Sequence, residues 1–186
     1  MGARSRYKEP VQSSRGASAL RGVDPKRLRH GRLWRVEIAS EEDGGEAQRL
    51  LEEEFSRKGK SFYEVFSLRG IRVNRVDPGF ISCSFKVPLR LTGRDGNLAN
   101  GAIANLVDEV GGALVQVVSL PLCVSVDMSI AFLSQAKLGE ELEITSRLLG
   151  QRGGYTGTLV VVRNQRTGEI IAEGRHSLFG RQASKL

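Results

Sequence analysis

The chain of 186 residues is poor in the residues that build metal centres and disulfide frameworks. It has two cysteines, Cys83 and Cys123, and two histidines, His30 and His176. A structural zinc site usually takes four Cys or His ligands, so we predict no metal site, and we expect no cofactor. So few cysteines are typical of a reducing compartment, where a buried free thiol is the ordinary state. A disulfide would need a closeness in space that the sequence does not predict.

Long hydrophobic runs are also missing, and the charge is unevenly distributed. No apolar run reaches the roughly 18 uncharged residues of a membrane-spanning helix. The formal net charge is +7, yet residues 1–35 hold ten Lys or Arg against two Asp or Glu, whereas residues 36–186 hold 18 against 19. The basic charge therefore belongs to a tail. Because the body has no basic patch with interleaved aromatics, we expect no nucleic-acid partner.

The two ends of the chain carry separate signals. The Arg-rich, acid-poor tail fits either a plastid or mitochondrial transit peptide or a disordered arm, and residues 37–46 resemble an acidic linker. We therefore predict a tail and linker over residues 1–45 and a flexible targeting tail over 181–186. The last three residues, Ser184-Lys185-Leu186, form the address that the peroxisomal import receptor reads. Since the tail lacks an apolar stripe, we predict a peroxisomal location, with plastid or mitochondrion as the alternative.

The body, residues 46–180, has the pattern of a helix, two strands, a second helix and four strands. Apolar residues near helical spacing predict the first helix over 45–59. Alternation predicts strands over 66–79 and 80–91, joined by a turn at Asp77-Pro78-Gly79. After a loop at 92–97, a long apolar helix follows to 118, and four strand-like segments occupy 122–133, 141–151, 155–165 and 169–180. A long helix with a mostly antiparallel meander predicts an α+β fold, in which a curved sheet wraps around the central helix.

The central helix is rich in glycine and alanine, although an interior glycine costs about 1 kcal/mol relative to alanine. Its stretch "NLANGAIANLVDEVGGALVQVV" contains Gly101, Gly111 and Gly112. A helix enclosed by a sheet needs close backbone approach on several sides, which small residues allow. Burial against the sheet then offsets the low helix propensity.

Asp108 is the unexpected residue of this helix. A helical wheel places one apolar face at Ile103, Leu106, Val107, Val110, Leu114, Val117 and Val118, and a polar face at Asn105, Glu109, Gly112 and Gln116. Asp108 lies on the flank between them, beside Gly101, Ala104 and Val115. The wheel alone allows a solvated aspartate or a functional carboxylate that another surface approaches closely.

The start of the same helix is a second candidate site. Asn100 is a good N-cap, and the N–H groups of Gly101 and Ala102 then lack intrahelical partners. Such a helix start can bind an anion or a developing oxyanion. Asp108 lies eight residues further on, about 12 Å along the axis. Both can act on one carbonyl only if a two-fold dimer brings one helix start near the Asp108 of the partner chain.

The motifs "LANGAIANLVDEVGGALV", "CVSVDMSIAFLSQAKLGEELEI" and "TGEIIAEGRHSLFG" occur in this order. Together they resemble the hotdog-fold acyl-CoA thioesterases of the 4-hydroxybenzoyl-CoA thioesterase-like superfamily, and within it the small eukaryotic acyl-coenzyme A thioesterases. The resemblance covers roughly residues 48–180. It implies a hotdog domain that hydrolyses acyl-CoA thioesters to the free acid and coenzyme A, as a homo-oligomer, either a dimer or a dimer of dimers. In a peroxisome such a protein would belong to lipid metabolism.

The resemblance also implies roles for individual residues. Asp108 matches the carboxylate that acts as general base or nucleophile, and Ser125 matches the hydroxyl that orients the attacking water. The helix start at Asn100 and Gly101 matches the backbone donor that polarises the thioester carbonyl. Positions that match substrate-binding loops for coenzyme A are Asp127, Phe132, Leu133, Ser134, Lys137, Gly150, Gln151, Arg152 and Gly153.

Two positions depart from the family pattern, and other functions remain open. The family's loop Asn falls at Gly93, and the His before its helix falls at Ala99, so a protein that binds acyl-CoA without hydrolysis is the alternative. A hotdog dehydratase would use a His near the helix, whereas His176 comes late in the chain and is expected to be a hydrogen-bonded structural residue. Neither cysteine has an evident His partner for nucleophilic catalysis.

Overall fold

A computed structural model describes residues 41–56, 62–118 and 123–180. The predicted basic tail to residue 40 and the targeting tail at 181–186 lie outside this range. Three helices are described, α1 (Glu41–Ser56), α2 (Phe62–Leu68) and α3 (Asn100–Val118), with a 3₁₀ turn at Leu89–Leu91. The strands are β1 (Arg72–Asp77), β2 (Phe80–Lys86), β3 (Cys123–Phe132), β4 (Glu141–Arg152), β5 (Tyr155–Asn164) and β6 (Ile170–Gly180). No helix in these ranges is long and apolar enough to cross a membrane.

The six strands form one antiparallel sheet in the order β1-β2-β4-β5-β6-β3. Helix α3 packs against β2, β3, β4, β5 and β6, which confirms the predicted sheet around a central helix. The turn between β1 and β2 is at the predicted position, and Gly79 has a φ of 73°, which a residue with a side chain rarely adopts. Along the chain, two strands, the long helix and four strands follow one another as predicted.

The apolar face of α3 is the core of the domain. Ile103, Leu106, Val107, Val110 and Leu114 are all at most 1 % exposed, as the wheel predicts. Val115, which the wheel placed on the flank with Asp108, is also fully buried. This flank is therefore covered by protein at Val115, whereas the Asp108 side chain remains 43 % exposed.

The amino-terminal part of the domain differs from the predicted pattern. Helix α1 begins at Glu41, so the linker prediction was wrong for residues 41–44, and the predicted start of the helix at residue 45 was too late. Helix α2 was not predicted, because its residues 66–68 were assigned to a strand. Its seven residues are too few for a stable isolated helix. Tertiary contacts hold it instead: Leu68 is buried, and Asn105 of α3 donates a hydrogen bond to Ser67 Oγ at 2.9 Å.

Candidate active site

Three polar side chains meet where α3 faces the β3–β6 side of the sheet. Ser125 Oγ donates a hydrogen bond to Asp108 Oδ1 at 2.8 Å. His176 Nε2 lies 2.9 Å from Ser125 Oγ and 3.2 Å from Asp108 Oδ1. The Asp108 side chain is 43 % exposed, whereas that of His176 is fully buried. The cluster therefore has a buried end at His176 and an open end at Asp108.

Strand register brings these residues together from distant parts of the chain. Ser125 pairs with Leu178 and Met128 pairs with His176 in the β3–β6 ladder, with a register shift between Ser125 and Asp127. Side chains of alternate residues along β6 point toward α3, since Gly174, His176 and Leu178 all lie against that helix. The pairing thus sets the Ser125 hydroxyl between the imidazole and the carboxylate.

Burial controls the charge of His176. Desolvation lowers the pKa of the imidazole below its usual value, and the carboxylates of Asp108 and Asp127 oppose this shift. The ring is therefore neutral at neutral pH. Its Nδ1 atom is buried without a hydrogen-bond partner among the described residues, whereas Nε2 faces a hydroxyl and a carboxylate oxygen. Because a carboxylate only accepts hydrogen bonds, the proton belongs on Nε2.

The resulting chain of hydrogen bonds has one direction. His176 Nε2–H donates to Ser125 Oγ, and Ser125 O–H donates to Asp108 Oδ1. In the described residues Asp108 Oδ2 makes no hydrogen bond. The arrangement fixes one carboxylate oxygen and leaves the other open to accept a proton from a small molecule such as water.

The open end of the cluster lines a pocket of about 160 Å³. Its walls are Phe55, Glu64, Asp108, Glu109, Gly112, Ala113, Gln116, Cys123, Ser125 and Leu178. Cys123 is half-buried there, and burial, followed by the nearby Asp108 carboxylate, raises the pKa of its thiol. A neutral thiol is a poor nucleophile, so Cys123 is not suited to nucleophilic attack in this pocket.

The start of α3 is more open than predicted and differently capped. The Ala99 carbonyl accepts the N–H groups of Ala102 at 2.9 Å and Ile103 at 3.1 Å, so Ala99 is the N-cap. The prediction of Asn100 as N-cap was wrong; Asn100 is the first helical residue. Within the described residues, the N–H groups of Asn100 and Gly101 have no acceptor, and a Cβ at Gly101 would meet only open space. Two backbone donors are therefore available at this helix start.

Comparison with known proteins identifies the family. The thioesterase superfamily model matches residues 95–171. Acyl-coenzyme A thioesterase 13 of Homo sapiens is 38 % identical over 121 residues, which are 64 % of this chain and 85 % of that protein. The chain belongs to the thioesterase superfamily. This confirms the family that the sequence motifs resemble.

Solved structures agree with this thioesterase assignment. Zebra fish thioesterase superfamily member 2 superposes with a TM-score of 0.64 at 30 % identity, covering 72 % of this chain and 94 % of that one. A hypothetical thioesterase from Streptococcus pneumoniae, solved with coenzyme A, superposes with a TM-score of 0.58 at 22 % identity, covering 61 % and 89 %. The hotdog fold predicted for this thioesterase is confirmed.

The substrate-binding positions predicted on β3 and in the loop after it are not among the residues that line the Asp108 pocket. Asp127 pairs with Ser177, whose side chain points away from α3. Phe132 and Leu133 are 44 % and 59 % exposed at the end of β3. Ser134 Oγ donates a hydrogen bond to Glu169, and the Lys137 N–H donates to Glu140 Oε2 at 2.8 Å. Their role in binding coenzyme A stays a prediction.

The second group of predicted substrate-binding residues forms the β4–β5 hairpin of the thioesterase. Gly150, Gln151 and Arg152 line an open depression of about 340 Å³ together with Tyr155, Thr156, Gly157 and Ser177. Gly153 forms the turn with a φ of 60°. Since Ser177 and His176 point to opposite faces of β6, the bottom of this depression lies across the sheet from the cluster of Asp108, Ser125 and His176. Within one chain, the structure therefore does not bring the hairpin residues Gly150, Gln151 and Arg152 next to Asp108.

The remaining expectations concern metal and cysteine. Among the described residues, no group of three or more His, Cys, Asp or Glu is placed to hold a metal ion. Both cysteines are free, and burial raises the pKa of Cys83 to about 12, as suits an inert core thiol.

His176 was expected to be a structural residue, and sequence reasoning missed its place beside Asp108. The order of the motifs around Ser125 and His176, read as two paired strands, is the signal that could have found it.

Proposed function

We propose that this thioesterase hydrolyses acyl-CoA thioesters to a free acid and coenzyme A. The observation that carries the proposal is the Asp108 carboxylate, held at Oδ1 by the Ser125 hydroxyl and open at Oδ2 toward a pocket. The relatives named as acyl-coenzyme A thioesterases support the same reaction. Asp108 is assigned as the general base, because its free oxygen lies where a bound water could donate a proton.

The reaction follows from this assignment. A water molecule donates a proton to Asp108 Oδ2 while its oxygen bonds to the thioester carbonyl carbon. The tetrahedral intermediate then collapses, the C–S bond breaks, and the proton passes from Asp108 to the sulfur of coenzyme A. Ser125 and His176 act by holding the carboxylate. The hydroxyl hydrogen of Ser125 is engaged by Asp108, so Ser125 can orient the water only through its remaining lone pair.

The thioester carbonyl needs a hydrogen-bond donor where negative charge develops. The free N–H groups of Asn100 and Gly101 are suited to this role, but eight residues of helix, about 12 Å, separate them from Asp108 in one chain. We therefore propose a site shared across a homodimer, in which one protomer supplies Asp108 and Ser125 and its partner supplies the helix start. A dimer of dimers would preserve this arrangement.

The exposed edge of the sheet supports the dimer. Among the described strands, β3 pairs with β6 alone, so its other backbone edge is open. It also exposes large apolar side chains, including Val124 at 65 %, Val126 at 49 % and Met128 at 38 %. An exposed apolar edge strand is a template for pairing with another chain. Pairing of β3 with its symmetry copy would cover the edge beside Ser125.

The alternative is a protein that binds acyl-CoA without hydrolysing it. Its basis is that Gly93 and Ala99, which stand where the family has Asn and His, offer no side-chain donor to the thioester carbonyl. The discriminating experiment incubates the purified chain with a panel of short, long and aromatic acyl-CoAs and follows release of the free thiol with a chromogenic reagent. We expect catalytic turnover with at least one class. Saturable binding of acyl-CoA with no thiol release above the uncatalysed rate would establish the alternative.

The location also stays a proposal. Ser184-Lys185-Leu186 favours a peroxisome over a plastid or mitochondrion, and import-receptor binding would be the corresponding partner interaction. We expect a chain with a fluorescent protein fused to its amino terminus to form peroxisomal puncta. Deleting the last three residues should disperse them. Puncta that persist after the deletion, or import of a carboxyl-terminally tagged chain into another organelle, would contradict the proposal.

A further inference from the structure

Gly111 lies where the backbone of α3 faces the Nδ1 side of the His176 ring. An ideal Cβ at this glycine would lie 2.7 Å from His176 Nδ1, 3.2 Å from Thr158 Oγ1 and 3.3 Å from Val160 Cγ2. The first distance is well below normal contact, so even an alanine methyl requires the ring or the helix to move. Gly112, the next residue, is different: its Cβ would have one neighbour within 4 Å, Leu178 Cδ2 at 3.8 Å.

The position of the ring explains why this contact matters. His176 is 1 % exposed and its Nδ1 has no hydrogen-bond partner among the described residues. The ring is therefore held on the Nδ1 side by packing against the bare backbone of Gly111, and on the Nε2 side by Ser125. A displacement from the Gly111 side would move Nε2 relative to Ser125 Oγ, which in turn sets the direction of Asp108 Oδ1.

We propose that Gly111 is a positioning residue for the catalytic carboxylate. Its missing side chain seats the neutral His176 ring with the proton on Nε2, and the ring fixes Asp108 through Ser125. This inference rests on the proposed hydrolysis for its kinetic consequence. The seating of the ring can be measured without substrate.

The test compares Gly111→Ala with the matched control Gly112→Ala, which makes the same change one residue away on the same helix. Gly111→Ala should lower kcat by about ten- to a hundredfold, because a small misplacement of a catalytic group has effects of this size. KM should change little. Because Gly112 lines the pocket, Gly112→Ala serves only as the control for the His176 ring, which it should leave in place. The control for activity is Gly45→Ala in α1, where a Cβ would meet nothing within 4 Å, and it should stay within about twofold of the parent.

Nuclear magnetic resonance of the imidazole supplies a readout that is independent of activity. The chain has only two histidines, so the substitution His30→Gln leaves the His176 signals alone in the spectrum. Long-range ¹H–¹⁵N spectra should show the Nε2–H form in the parent and in Gly112→Ala. In Gly111→Ala we expect a displaced ring, with altered ¹⁵N shifts and a titration nearer the ordinary pKa of histidine. Unchanged His176 signals in Gly111→Ala would overturn the proposal even if the parent hydrolysed no acyl-CoA.

If Gly111→Ala loses stability, the same substitution is also made in the His176→Gln variant, and the two losses of activity are compared. In His176→Gln, a side-chain amide can still donate to Ser125, but the imidazole Nδ1 beside Gly111 is gone. Adding Gly111→Ala in this background should cost much less activity than it does in the parent, as expected for two residues that act through one contact. An equal loss in both backgrounds would show that Gly111 serves helix packing in general, and would refute its positioning role.

Discussion

Replacement of Asp108 by Asn is expected to lower turnover of acyl-CoA by about 10²–10⁴-fold, the usual contribution of general-base catalysis. The amide has nearly the same shape and can still accept a hydrogen bond from Ser125, but it cannot take a proton from water. The fold should therefore remain intact. The measurement is kcat at saturating acyl-CoA, with a thermal unfolding midpoint close to that of the parent as evidence of folding.

Two comparisons make this result specific. Glu109→Gln is the matched control, because it makes the same carboxylate-to-amide change in a neighbouring residue of the same pocket, and it should leave turnover within a few-fold. Ser125→Ala should cost about tenfold, since it removes one hydrogen bond to a charged group without removing the base. A parent-like rate in Asp108→Asn would exclude Asp108 from the mechanism.

Mixing two inactive variants is expected to restore activity if the site is shared between protomers. Asn100→Pro removes the first backbone donor of α3 and is compatible with the helix, because proline is favoured at this position. Asp108→Asn removes the base. In a random mixture half of the dimers are mixed, and each has one intact site, so about one quarter of the parent activity should return.

The controls separate a shared site from a site within one chain. Asn100→Ala retains the backbone N–H and should stay active. Each inactive variant alone should show a small fraction of the parent rate. Exchange of protomers is verified by isolating mixed dimers through two different affinity tags. Isolated mixed dimers without recovered activity would place Asp108 and its carbonyl donor in the same chain, or the donor elsewhere.

Local sequence patterns were sufficient for most of the architecture. Alternation in β1 and β2, with Asp77-Pro78-Gly79 between them, predicted the first hairpin, because this turn chemistry acts within a few residues. The apolar face of α3 predicted the core for the same reason. Helix α2 was not predicted. Its seven residues are held in a helix by tertiary contacts, such as the hydrogen bond between Asn105 and Ser67, and the helix propensity of a local sequence does not include such contacts.

The cluster of Asp108, Ser125 and His176 could be predicted from the sequence only in part. Asp108 was conspicuous as a charge in an apolar helix, and Ser125 followed from the motif that resembles the family. His176 lies 51 residues from Ser125, and only the register of β6 against β3 brings the two together. The N-cap at Ala99 was missed for a similar reason. The Ala99 N–H donates to the Leu91 carbonyl at 2.9 Å, so contact with the preceding loop, rather than the side chain, fixes where the helix begins.

The open edge of β3 would make protein concentration part of the chemistry of this thioesterase if the proposed dimer forms. A ten-residue strand whose outer edge is unpaired among the described strands, and which exposes valines, is a template for pairing with another extended chain. If the copy of itself is that partner, mass action links folding, assembly and catalysis in one equilibrium. In that case freshly synthesised chains at low abundance would spend longer with β3 uncovered, and the strand that forms the proposed dimer would also be the segment most exposed to aggregation.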